Sequence, residues 1–89
     1  MESKLDIAKF LKDKRIEAGL SQGAVAKKLG YTSPQFISNW ERGLSRPPVE
    51  TLRKVAQIYN ISPNEMFDVI LKTTIGEVTA ELTEKFFKS

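Results

Sequence analysis

The chain has 89 residues, 40% of them hydrophobic and 28% charged, with a formal net charge of +3 and neither cysteine nor histidine. This length gives one compact core but not two ordinary domains, and the missing thiol and imidazole groups exclude disulfides, thiolate or histidine metal sites and the usual hydrolytic triads. The lack of these groups also argues against enzymatic activity, a metal or a cofactor. Because no apolar run approaches the ~20 residues of a membrane span and no signal peptide pattern opens the chain, we expect a cytoplasmic protein.

Helical spacing of apolar residues predicts two helices in the first third of the chain. The first runs from about Lys4 to Ala18 and ends at Gly19, which adopts a left-handed cap conformation without steric cost. The second follows the capping residue Ser21 and ends at Gly30. The predicted inward residues of these helices are Leu5, Ile7, Phe10, Leu11, Ala18, Val25, Ala26 and Leu29.

A third helix is predicted after the turn Gly30-Tyr31-Thr32. Ser33 supplies a capping oxygen, and Pro34 fits the first helical position because no amide hydrogen is needed there. The helix closes at Gly43. Its predicted inward residues are Ile37 and Trp40, with Phe36 at the margin.

A stiff loop with two prolines leads into a fourth helix, whose predicted apolar face is Val49, Leu52, Val55, Ala56 and Tyr59. A fifth helix begins at the capping box formed by Ser62, Pro63 and Glu65. We expect it to bury Met66 or Phe67, together with Ile70 and Leu71.

The segment 73–89 allows two interpretations. Val78, Ala80 and Leu82 alternate as in a strand, whereas a helix places Ile75, Val78, Leu82 and Phe86 on one face. We favour the helix, because Thr74 and Glu77 match a further capping box. The sequence therefore predicts an all-α fold, with a compact five-helix domain over residues 1–72 and a helical extension over 73–89 as a candidate dimerisation arm.

A dense residue pattern places this chain beside a known family. The segments that carry it are Arg15-Ile16-Glu17-Ala18-Gly19-Leu20-Ser21-Gln22, Ala26, Leu29-Gly30, Ile37-Ser38-Asn39-Trp40-Glu41-Arg42-Gly43, Arg46-Pro47, Thr51-Leu52-Arg53-Lys54-Val55-Ala56 and Ile61-Ser62-Pro63. This pattern resembles the Cro and phage-repressor helix-turn-helix regulators, also called the xenobiotic-response-element type. The resemblance covers about Leu5 to Leu71. It implies that the domain over residues 1–72 binds DNA through a helix-turn-helix spanning roughly Ser21 to Gly43.

The chain departs from the family pattern at one point. Members usually have six steps from the turn glycine to the isoleucine of the recognition helix, whereas Gly30 and Ile37 are seven apart. Because Ser33 still lies four residues before Ile37, we assign the additional residue to the turn at Tyr31 or Thr32.

The recognition helix, at about residues 33–42, has an outward polar row. With Ile37 turned inward, Gln35, Asn39 and Arg42 follow one another at steps of four and three, and Ser38 lies beside them. Glutamine and asparagine present the donor and acceptor that match adenine N6 and N7, while arginine suits guanine or a phosphate. We therefore predict that these four side chains read bases in the major groove.

Further residues are predicted to bind phosphates or to fix the fold. Gln22 opens the second helix, where free amide groups and its side chain suit a phosphate oxygen. The other phosphate candidates are Ser33, Arg46 and Lys14. The resemblance implies that Arg15 and Glu41 form a structural ion pair between the first helix and the end of the recognition helix, and we expect Trp40 to pack in the core.

Three function classes follow. The first is a prokaryotic or phage transcriptional regulator, acting as a repressor, that binds duplex DNA as a homodimer at the nucleoid. The second is an antitoxin-type interaction module, which binds a toxin protein and its own promoter through the same fold. A small enzyme is the third, and the absence of histidine, cysteine and a glycine-rich phosphate loop argues against it.

Overall fold

The computed structural model describes residues 7–88, which form five α-helices. They are α1 (Ile7–Glu17), α2 (Gln22–Leu29), α3 (Gln35–Glu41), α4 (Val49–Ile58) and α5 (Pro63–Phe87). The described residues contain no strand, so the prediction of an all-α fold is confirmed. The predicted start of the first helix near Lys4 lies outside the described residues.

Local sequence sets three of the helix ends. The Ser21 hydroxyl accepts a hydrogen bond from the Ala24 amide at 3.0 Å, and the Ser62 hydroxyl accepts one from the Glu65 amide at 3.1 Å. Gly30 ends α2 with φ +83°, a left-handed conformation that strains any residue with a Cβ. Each of these caps satisfies backbone groups that the helix itself leaves without partners.

The start of α3 differs by one residue from the prediction. The Ser33 hydroxyl does accept from the Gln35 amide at 3.0 Å, but Pro34 is the capping residue and Gln35 is the first helical residue. Proline's fixed φ suits either position, so sequence alone does not separate them.

One hydrophobic core joins the helices. α3 packs on α1 and α2, while α5 packs on α4 and α1. The core consists of Leu11, Val25, Ala26, Ile37, Trp40, Leu52, Val55, Ala56, Tyr59, Ile61 and Met66. This packing fixes the face that α3 presents to solvent.

The buried face of α5 differs from the expectation. Met66, Val69 and Thr73 are buried, whereas Phe67 and Leu71 are 61% and 43% exposed. The prediction that Leu71 is buried is therefore wrong. α5 packs on α4 and α1 with the side that carries Val69, and Leu71 lies on the other side of the helix.

α5 is one uninterrupted helix of 25 residues, so the helical interpretation of the C-terminal segment is confirmed through residue 87 and the strand alternative is wrong. No new helix begins at Thr74, where we expected a further capping box. Every described residue after Thr73 is exposed. None of the helices within residues 7–88 has the length and apolar character needed to cross a membrane.

Candidate nucleic-acid interface

Helix α3 is anchored by one face and open on the other. Ile37 is fully buried and Trp40 is 5% exposed, so both fix the helix against the core. The opposite side carries Gln35 and Asn39, one turn apart, the first exposed and the second half-buried. A short helix held in this way presents a fixed polar surface.

The two amides of this surface are bonded to each other. Gln35 Nε2 donates a hydrogen bond to Asn39 Oδ1 at 2.9 Å. This leaves the Gln35 carbonyl oxygen and its second amide hydrogen, an acceptor and a donor side by side. That pair matches the N6 amino group and N7 of adenine, and the hydrogen bond to Asn39 fixes the orientation of the Gln35 amide.

The other two predicted base-reading residues lie at the margins of this surface. Ser38 is half-buried, one residue before Asn39. Arg42 caps the C-terminal end of α3 and is exposed, and within residues 7–88 no carboxylate is paired with it. Its guanidinium group therefore keeps all five donors for a guanine edge or a phosphate.

An aromatic cluster supports the turn before α3. The Tyr31 ring lies 4.9 Å from the Phe36 ring and 6.0 Å from the Trp40 ring, measured between centroids. These contacts pack Tyr31 of the turn against α3. Phe36, predicted at the margin of the inward face of this helix, is 56% exposed beside Gln35 and adds an apolar edge to the polar surface.

Glu41 joins the three N-terminal helices. Its carboxylate accepts hydrogen bonds from Arg15 Nε at 2.6 Å and Arg15 Nη2 at 3.0 Å, and from Gln22 Nε2 at 3.0 Å. The Arg15 and Glu41 side chains are only 12% and 3% exposed. The hydrogen bond with Glu41 raises the pKa of Arg15, so the structure brings the predicted pair together as a charged, two-pronged contact.

The predicted phosphate-binding residues have protein partners. Gln22 donates one amide hydrogen to Glu41 and keeps the other, and the exposed Ser33 hydroxyl keeps its own hydrogen as a donor. Lys14 Nζ lies 3.4 Å from Glu65 and 3.6 Å from Glu17, and its hydrogen bond with Glu65 raises its pKa.

Arg46 lies in the loop between α3 and α4, with Pro47 buried beside it. Its guanidinium group forms an ion pair with Glu77 on α5. The pair is exposed, with side-chain exposures of 36% and 55%. An exposed ion pair of this kind is a weak contact, so it leaves the Arg46 guanidinium group available to another partner.

Comparison with known proteins agrees with this geometry. A helix-turn-helix family model matches residues 11–66. The chain is 30% identical over 91 residues to the HTH-type transcriptional regulator ImmR of Bacillus subtilis (strain 168), a match that covers 91% of this chain and 71% of the relative. No solved structure matches the chain. The chain therefore belongs to the helix-turn-helix family of DNA-binding transcriptional regulators, as its resemblance to the Cro and phage-repressor proteins predicted.

Proposed function

We propose that this protein is a sequence-specific repressor of transcription that reads duplex DNA in the major groove with α3. The observation that carries the proposal is the hydrogen-bonded pair of Gln35 and Asn39 on the open face of a helix anchored by Ile37 and Trp40. Such a pre-arranged amide pair discriminates adenine without reorganising on contact. A repressor of this kind works in the cytoplasm, at the nucleoid.

The base-reading surface comprises Gln35, Ser38, Asn39 and Arg42. Because a bidentate amide contact discriminates the right base by ~1–3 kcal/mol, Gln35→Ala and Asn39→Ala each weaken binding to the preferred site by about that amount. Binding to random duplexes changes little, since phosphate contacts dominate there. Gln57→Ala is the matched control, an exposed glutamine on α4.

Selection of bound duplexes from a random pool tests the proposal. We expect an enriched sequence that contains a critical adenine. Replacing this adenine lowers the affinity of the wild-type protein for the duplex but not that of the Gln35→Ala variant. A pool without enrichment contradicts sequence-specific binding. If each variant loses as much affinity for random duplexes as for the selected duplex, the result contradicts base reading by this surface.

We assign the phosphate contacts to Gln22, Ser33, Arg46 and Lys14. Gln22 is held by Glu41, so its free amide hydrogen has a defined direction at the start of α2. Helix starts carry partial positive charge that favours a phosphate oxygen. Lys14 must leave both Glu65 and Glu17 to reach DNA, whereas Arg46 must leave only Glu77, so we expect Lys14 to contribute less than the other three.

We further propose that the protein binds as a homodimer. One helix-turn-helix contacts few base pairs, and two-fold pairing sets the recognition helices ~34 Å apart, which requires an approximately palindromic site. The exposed apolar residues of α5 supply the contact. Full-length protein then sediments as a dimer at micromolar concentration, and deletion after Thr74 gives a folded monomer with weaker site binding. A truncated chain that still dimerises contradicts this assignment.

The antitoxin alternative uses the same exposed face of α5, but for an unrelated protein. Co-purification of one small, unrelated protein in a fixed ratio with the chain favours this alternative. If the protein purifies without any other protein and sediments as a dimer, the result favours the repressor.

A further inference from the structure

Four exposed apolar residues form a continuous stripe on α5, which we call the α5 seam: Leu71, Ile75, Val78 and Leu82. Their steps of four, three and four residues are those of the apolar positions in a coiled coil. Each is 43–61% exposed. At ~100° per residue, the centre of the seam lies roughly 180° around the helix from the centre of the buried face formed by Met66, Val69 and Thr73.

This placement leaves the seam open to a second helix. The domain lies behind α5, so a helix can pack along the seam without meeting α1 or α4. The stretch from 74 to 87 contacts little of its own domain, and an isolated helix of that length is marginal in water. A partner along the seam therefore stabilises the helix that carries it.

Charged residues at the two ends of the seam identify that partner. Asp68 lies three residues before Leu71, and Lys85 lies three residues after Leu82, so both continue the same stripe. The spacing of residues along the stripe is therefore the same from either end, but one end is acidic and the other is basic. A second copy in antiparallel orientation places Asp68 opposite Lys85, Leu71 opposite Leu82 and Ile75 opposite Val78.

A parallel copy gives the opposite electrostatic result. It places Asp68 opposite Asp68 and Lys85 opposite Lys85, and like charges at such positions destabilise pairing. Within the chain, Asp68 contacts Lys72 at 3.2 Å and Lys85 contacts Glu81 at 3.0 Å. Both pairs are exposed and weak, so they leave these side chains available to a partner.

We propose that α5 pairs with α5 of a second copy in antiparallel orientation, with a two-fold axis crossing the helix midway between Ile75 and Val78. The pairing is isologous, because each copy presents the same stripe to the other. It rests on the homodimer of the proposed function and specifies its orientation, its register and the residues in contact.

Disulfide cross-linking tests the pairing directly, because the chain contains no cysteine of its own. Leu71→Cys and Leu82→Cys chains, one of them tagged, are mixed as full-length proteins and oxidised. Antiparallel pairing places the two sulfurs together, so the mixture yields a cross-linked heterodimer. In either variant alone, the two copies of the cysteine lie 11 residues apart along the helices, or about 16 Å, beyond the ~7 Å reach of a disulfide.

Parallel pairing predicts the reverse, with cross-linking of each variant alone and none between them. That result overturns the proposal, as does the absence of cross-linking in all three samples. Gln57→Cys, exposed on α4, reports the yield from random collisions. Circular dichroism checks that each variant remains helical.

Charge exchange gives a second test, which leaves the apolar residues in place. Asp68→Lys sets lysine against Lys85 at both ends of the antiparallel dimer and weakens self-association by roughly tenfold. Adding Lys85→Asp restores it. In a parallel dimer the single change only replaces one like-charge contact with another, so an unchanged dissociation constant overturns the proposal. Neither test uses DNA, so a failed pairing and a failed base-reading surface are distinguishable.

Discussion

Replacing Glu41 with alanine tests how the three N-terminal helices are held together. The carboxylate is 3% exposed and accepts three hydrogen bonds from Arg15 and Gln22. In the wild type the Arg15 side chain is 12% exposed, and it also donates a hydrogen bond to the Leu20 carbonyl oxygen at 2.8 Å, a contact that does not depend on Glu41. The variant therefore leaves a buried charge without a counter-charge.

The magnitude follows from that burial. Breaking a buried ion pair from one side costs about 3–5 kcal/mol. Because Arg15 retains a little exposure, we take the lower end, about 3 kcal/mol. A domain of this size loses about 4–8 °C of melting temperature per kcal/mol, so Glu41→Ala lowers the melting temperature by roughly 12–24 °C.

Thermal unfolding followed by circular dichroism at the helical minimum measures this loss. The double variant Arg15→Met with Glu41→Leu recovers part of it, since apolar side chains replace a buried pair without an uncompensated charge. Asp13→Ala is the matched control, because its pair with Lys9 at 2.8 Å is exposed and contributes less than about 1 kcal/mol. If Glu41→Ala melts within a few degrees of Asp13→Ala, the pair does not hold the helices as argued.

Three further predictions concern other residues. Arg46→Ala lowers affinity for selected and random duplexes alike and reduces the slope of log affinity against log salt concentration by about one. Glu77→Ala is the control for the lost ion pair. An unchanged slope removes Arg46 from the phosphate contacts. Burial, with Glu41 nearby, raises the pKa of Tyr59 from 10.0 to about 12. The neutral Tyr59 therefore contributes stability that is fully present below about pH 10 and is lost as pH rises through about 12, by up to ~3 kcal/mol. Urea unfolding across that pH range measures the loss, which Tyr59→Phe should lack. The Thr73 hydroxyl is buried without a hydrogen-bond partner within the described residues, so Thr73→Val raises the free energy of unfolding by about 1 kcal/mol, and a destabilised variant contradicts that reading.

The sequence determined the features that depend on neighbouring residues. Ser21 and Ser62 cap helices because a serine hydroxyl reaches an amide three residues ahead, whatever the rest of the chain does. Gly30 ends α2 because only glycine adopts its conformation without strain. The row of Gln35 and Asn39 follows from helical periodicity once the inward face of α3 is known.

The tertiary structure decided which distant side chains meet. Gln22 bonds Glu41 and Arg46 bonds Glu77 across 19 and 31 residues, and no local pattern specifies those contacts. Phe67 was a candidate for the core of α5, yet the packing against α4 and α1 buries Val69 and leaves Phe67 in solvent. The sequence of a helix with apolar residues on two sides does not show which side its own domain will cover. The packing of the other helices decides this, and in α5 it leaves the second side exposed.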